Sequence, residues 1–173
     1  LLAVRADLLA RMGEVTALGD LLNLVPDRAG NEKLVRAELD ARLLDFDMPR
    51  ACKLAAAATN VAGDAYWQQT LVLCQALAGQ KDQSALGVAL LRERKLGEPL
   101  FFDLVDDING FGEAKLGGLT KPSPLTLAAI RAAQVSLPPD LLKTDSPPLL
   151  RFIALNPNVD AKVRLEVAER AEA

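Results

Sequence analysis

Three groups of side chains in this sequence could carry chemistry: two cysteines, one acidic run and four serines; histidine is absent. Without histidine the chain lacks the commonest general base, the commonest neutral metal ligand and the base of every Ser-His or Cys-His nucleophile. The serines are Ser84, Ser123, Ser136 and Ser146. Ser123 and Ser146 directly precede Pro124 and Pro147, which reads as an N-cap followed by a helix-starting proline. Ser84 falls in the first turn of a helix, so helix-start duty accounts for it as well. The acidic run, "DLVDDINGFGE", places Asp103, Asp106, Asp107 and Glu113 around Asn109 and Gly110. Read as a calcium loop with Gly110 at the sixth position, it puts Val105 at the first and Leu116 at the twelfth, where carboxylates are required, so the match fails. Read as a hydrolytic carboxylate pair, Asp106 and Asp107 would need a cleft and a defined separation. An exposed helix face followed by a turn is the simpler reading. No phosphate-binding glycine pattern occurs, and no metal or cofactor is expected.

The cysteines have a more telling arrangement. Gly63 lies midway between Cys52 and Cys74 in the sequence. On antiparallel helices turning near Gly63, residues equally far from the turn sit at the same height. Cys52 shares a face with Ala55, Ala56 and Thr59, whose small side chains admit a neighbouring helix at roughly 8–9 Å between axes. With Cα atoms about 2.3 Å off each axis, facing Cα atoms come within about 4–5 Å, and a disulfide accepts about 4.4–6.8 Å. The spacing permits a Cys52–Cys74 bridge; two buried free thiols are the alternative. A bridge implies an oxidising compartment, the periplasm for a bacterial chain, and two free thiols leave the cytoplasm open.

The elements that hold these residues read as helices throughout. Half of the 173 residues are hydrophobic but only 4% are aromatic, so the core is built from Leu, Ala and Val, which suits close helix packing better than a sandwich of strands. Leu8, Leu9 and Met12 form a first apolar stripe that ends at Gly13. Val15, Leu18, Leu21 and Leu22 form a second, closed by Pro26. Asn31 caps a third helix carrying Leu34, Leu39 and Leu43; Asp47 caps a fourth, with Pro49 in its first turn, running to Thr59; Asp64 caps a fifth, with Trp67, Leu71, Cys74 and Ala78 on one side. Asp82 is expected to cap a sixth that ends at Gly97. After Glu98 come a short helix with Phe101, Phe102, Val105 and Ile108, a glycine-rich connection, proline-started helices, and a turn at Asn156-Pro157-Asn158 before the last helix. The division expected is residues 1–97 as helix pairs and 98–173 as a part of shorter helices packed on the first. Both ends, "LLAVRADLLARMG" and "RLEVAERAEA", read as helix, as if cut from a longer protein.

The segments "LLARMGEVTALGDLL", "ARLLDFDMPRACKLA" and "QALAGQKDQSALGVALL" repeat helix end, short turn and alanine-containing second helix at about 31–36 residues. With Trp67 in the third pair, residues 1–95 resemble a degenerate tetratricopeptide repeat, and "PPLLRFIALNPNVDAKVRLEVAERA" is similar to a helix pair of the HEAT type. Trp67, Cys74 to Gly79, Leu90 to Glu93 and Glu169 to Ala171 also resemble uncharacterised Ala- and Leu-rich helical proteins of GC-rich bacteria. The resemblance implies an all-α fold of antiparallel helix pairs forming a right-handed α-solenoid. It implies a non-catalytic surface for a peptide or protein. From the exposed faces of the first helices, Arg36, Arg42, Tyr66, Gln68 and Gln69 are expected to line that surface; Trp67 is expected in the core and the adjacent Tyr66 toward a groove or solvent. The net charge of −3 is spread, with no basic block to follow a phosphate backbone, so nucleic acid is not an expected partner. No apolar run approaches the roughly 18 residues that span a bilayer. A structural segment of a larger envelope protein and, behind it, a carboxylate-dependent hydrolase are the competing readings.

Overall fold

The computed structural model describes residues 2–12, 14–25, 31–58, 64–117, 119 and 121–172. Among them there are helices and no strand: α1 (Leu2–Arg11), α2 (Val15–Asn23), α3 (Glu32–Leu44), α4 (Met48–Ala57), α5 (Ala65–Leu77), α6 (Lys81–Glu93), α7 (Pro99–Asn109), α8 (Pro124–Ala133), α9 (Pro139–Leu142), α10 (Pro147–Leu155) and α11 (Ala161–Glu172). None of them is long and apolar enough to cross a membrane. The expected stops at Gly13, Pro26, Thr59 and Gly63 lie outside the described residues.

Several helix starts follow the local chemistry. Asn31 accepts from the Leu34 amide at 3.3 Å, Asp64 from the Tyr66 amide at 2.7 Å and Ser123 from the Thr126 amide at 3.1 Å, each satisfying an N–H that the first helical turn leaves over. Other starts differ from expectation. Asp47 sits at the N-cap of α4 but its carboxylate turns to Arg42 and Arg50, at 3.3 and 3.2 Å, because two guanidiniums outcompete one amide. Asp82 is inside the first turn of α6, where it faces the helix dipole, and Gln80 holds the cap position. Ser146 stands at the cap of α10 without a side-chain bond; its amide is taken by Thr144 Oγ1 at 3.1 Å. Ser84 does more than start a helix. It is fully buried; its hydroxyl donates to the Val72 carbonyl at 3.2 Å and accepts from Asn109 at 3.1 Å, joining α5, α6 and α7.

Chain neighbours pack in sequence order: α1 on α2, α2 on α3, α3 on α4, α4 on α5, α5 on α6, α6 on α7 and α10 on α11. Helix α8 joins across long sequence distances, packing on α3, α5 and α7. Its residues from Leu125 to Ile130 are all buried, as a helix at the centre of a core must be, and Ala128 and Ala129 let the neighbours approach. The largest apolar cluster draws on both sides of residue 97, from Leu39, Leu43, Trp67 and Leu73 to Phe101, Leu104, Leu125 and Ile130. Helix α3 contributes to every cluster: Leu39 and Leu43 here, Leu34 and Ala41 with α1 and α2, and Leu44 with α8, α10 and α11. Only one stripe of α3 is left to face outward.

Candidate functional site

That stripe forms the floor of a groove. Glu32, Lys33, Arg36, Ala37 and Asp40 of α3 face Ala3, Val4, Asp7 and Ala10 of α1 across a lobe of about 570 Å³. A second lobe of about 500 Å³ shares Asp7, Ala10 and Asp40 with the first and continues past Leu44, with Lys121, Pro122, Pro124 and Leu127 from the start of α8 and Thr144, Ser146, Pro148 and Leu149 from the start of α10. From Glu32 to Leu44 the floor rises about 18 Å at 1.5 Å per residue. Prolines offer no N–H, so the second lobe has an apolar wall where a helix start would ordinarily present donors. Its lip is fixed from outside: Arg170 of α11 donates to the Leu142 carbonyl at 3.1 Å, to the Thr144 carbonyl, and to Asp145 at 3.2 Å.

Where the lobes meet, Asp40 is bound from below. The Tyr66 hydroxyl of α5 donates to Asp40 Oδ1, and Arg36 Nε donates to the same oxygen at 3.3 Å. The Arg36 guanidinium also stacks on the Tyr66 ring, 3.1 Å from its centroid, a cation–π contact. Burial pushes the Asp40 carboxyl above its ordinary range, against the opposing pull of the Tyr66 bond and the Arg36 charge. Burial, and then the Asp40 charge, hold the Tyr66 phenol well above its usual value. Tyr66 is therefore a fixed proton donor to Asp40, with no capacity to act as a base near neutrality.

The residues expected on a binding surface divide. Arg36, on the groove floor, and Tyr66, from beneath it, meet at Asp40. Arg42 is drawn to the end of α3, pairing with Asp47 at 3.3 Å and Glu38 at 3.6 Å. Gln69 lies against the α6–α7 turn: a Cβ at Gly97 would meet its amide at 3.2 Å. Gln68 is half-buried on α5. The sequence reading missed Asp40, although its position four residues after Arg36 is an ion-pair spacing on a helix; it also missed Asp7 and the proline wall, for which no local signal exists.

The acidic run is committed elsewhere. Asp106 and Asp103 pair with Arg92 at 3.0 and 3.4 Å, and Asp107 accepts from the Ala114 amide at 2.9 Å, closing the turn after α7. Among the described residues no group of three or more His, Cys, Asp or Glu side chains is placed to hold a metal.

Cys52 of α4 and Cys74 of α5 lie at disulfide distance, their Cα atoms 5.7 Å apart, farther than the roughly 4–5 Å expected from the helix spacing and within the range a disulfide accepts. Comparison with protein families, with curated proteins and with solved structures gives no match.

Proposed function

We propose that this chain is a non-catalytic interaction module, a degenerate stack of tetratricopeptide-like helix pairs, that seats a peptide or a segment of a partner protein in the groove along α3. The observation that carries this reading is the groove itself: about 18 Å of open floor, walled by Val4, Leu127, Leu149 and prolines, on a helix whose Leu34, Leu39 and Leu43 are buried in the apolar clusters. An extended segment of about five or six residues covers that length at 3.3 Å per residue. The contacts of Asp106 and Asp107 with Arg92 and the Ala114 amide account for the carboxylates on which a hydrolase would depend. The cysteine pair supports an oxidising compartment, the bacterial periplasm, where the bond would persist.

Selection of random hexapeptides displayed on phage tests the groove. The bait is the oxidised chain, and an Ala37→Trp variant, which fills the floor between α1 and α3, serves for subtraction. Enriched peptides should bind the unaltered chain at least tenfold more tightly than Ala37→Trp, and equally to Leu86→Ala, a change on the exposed face of α6. Peptides that bind Ala37→Trp as well as they bind the unaltered chain would refute the groove.

A further inference from the structure

We infer that the corner formed by α8, α10 and α11 is a site for a phosphate group, held by Arg131, Arg151 and Arg164. None of the three is among the described residues that line the groove, so the inference stands apart from the reading above. Five buried side-chain donors of this corner have no hydrogen-bond partner among the described residues: Nε and Nη1 of Arg131, Nε of Arg151, Nε of Arg164 and Nδ2 of Asn156. No other buried side-chain donor among the described residues is left in this state. A buried N–H has given up its water and needs an acceptor in return. Asn156 is fully buried, and its Oδ1 already accepts from the Asn158 amide at 3.0 Å. What the corner lacks is therefore acceptors, and an oxyanion brings several at once.

The local fold brings these donors together. Asn158 Nδ2 donates to the Arg131 carbonyl at 2.9 Å, which sets the α10–α11 turn against the end of α8. The turn closes where the Val159 amide donates to the Asn156 carbonyl at 3.1 Å. Arg151 precedes Asn156 by as many residues as Arg164 follows Val159, so on the packed pair α10 and α11 the two arginines start level. The Arg131 guanidinium stands 4.5 Å from the centroid of the Phe46 ring. Phe46 is itself fixed in the left-handed conformation that ends α3, with φ 60°, a place usual for glycine. Among the described residues Asp45 is the one carboxylate in ion-pair reach of these arginines, its Oδ1 3.5 Å from Arg151 Nε. Its charge also opposes the burial that pulls Arg131 below its ordinary value. Asp160 is turned to the amides of Lys162 and Val163 at 2.9 and 3.4 Å. Three guanidiniums against one carboxylate leave the corner doubly positive. A phosphate dianion matches that charge and offers strong acceptor oxygens to several donors together, and guanidiniums meet such oxygens through paired N–H bonds. A lone carboxylate would balance only half of the charge.

Titration of the isotope-labelled chain with inorganic phosphate and with glycerol phosphate, each against chloride at matched ionic strength, tests the site by NMR. Both probes should shift the arginine Nε–H resonances of Arg131, Arg151 and Arg164 and saturate at millimolar concentration. Equal affinity for the two assigns the site to the phosphate group alone, and binding of the ester about tenfold tighter assigns it to the phosphate of a small ester. Arg131→Gln and Arg164→Gln, each judged folded by its thermal transition, should weaken binding about tenfold, the loss of one charged hydrogen bond. Arg94→Gln, at the exposed end of α6, should leave it unchanged. Asp45→Asn should tighten binding about threefold, because it removes the carboxylate that competes with the ligand. A cluster with a purely structural role would gain no affinity from that change. A response to phosphate no larger than to chloride overturns the inference. So does a loss in the arginine variants no greater than in Arg94→Gln, or weaker binding in Asp45→Asn.

Discussion

The cysteine pair gives the most direct quantitative prediction. Cys52 and Cys74 are separated by 22 residues, and cross-linking a loop of that size removes about 11 cal/mol/K of entropy from the unfolded chain, or about 3.4 kcal/mol at 25 °C. Unfolding of a chain of 173 residues carries about 0.36 kcal/mol/K near its midpoint at 2.1 cal/mol/K per residue. Opening the bridge should therefore lower Tm by about 9 °C. The cleanest perturbation is reduction of the unaltered protein, because both sulfurs stay in place among half-buried neighbours and no cavity is made. Scanning calorimetry with and without a phosphine reductant measures the shift, and alkylation in denaturant followed by intact mass reports the thiol state of each sample. A Cys52→Ala/Cys74→Ala variant should show a loss of the same order and no response to reductant. Full labelling of both thiols in the unreduced sample would show that no bond forms. A shift under about 2 °C upon complete reduction would show that the unfolded chain gains little freedom, against the loop-entropy reasoning.

Three further changes test the packing and the buried polar groups. A Cβ at Gly87 would stand 2.5 Å from Val72 Cγ2, so Gly87→Ala should destabilise by about 1 kcal/mol, an overlap of about 2 kcal/mol less the gain in helix propensity; in a Val72→Ala background the same change should stabilise, both read from urea midpoints. Ser84→Ala leaves the Asn109 amide buried without its acceptor and should cost about 1–3 kcal/mol, while a Ser84→Ala/Asn109→Leu double variant should cost less than the two single changes together. Because the folded carboxyl of Asp40 titrates above its unfolded value, its contribution to stability is fully present below about pH 3.9 and is lost as the pH rises through the raised value. Asp40→Asn removes that dependence, so its stability relative to the unaltered chain should climb with pH across that window in chemical denaturation; a difference that falls with pH would reverse the assignment.

What could be read in advance was whatever short-range chemistry determines. The caps at Asn31, Asp64 and Ser123, the proline starts of α4, α8 and α10, and the meeting of Cys52 with Cys74 depend on residues close in sequence or on the symmetry of one hairpin. The misjudged caps have separate causes: at Asp47 the guanidiniums of Arg42 and Arg50 take the carboxylate, and at Ser146 the second helical residue is Pro148, which has no amide to donate to the hydroxyl. Ser84 was assigned to a helix start because its partners, Val72 and Asn109, belong to helices on either side. The position of α8 had no local signature either, since an apolar proline-started helix reads alike at the edge of a fold and at its centre.

The place of α8 decides where a ligand can sit. With Leu125 to Ile130 buried and α8 packed on α3, α5 and α7, the space among these helices is filled by the chain itself. Tyr66 is consequently turned from a contact residue into a support, reaching from α5 under α3 to hold Asp40. The open surface moves to the other side of α3, where α1 is the facing wall and the starts of α8 and α10 close the far end. A floor made from a helix anchored in three apolar clusters yields little when something binds to it, so the energy of binding is not spent on ordering the site. Recognition along such a floor depends on the few polar groups set into it, among them the paired Arg36 and Asp40.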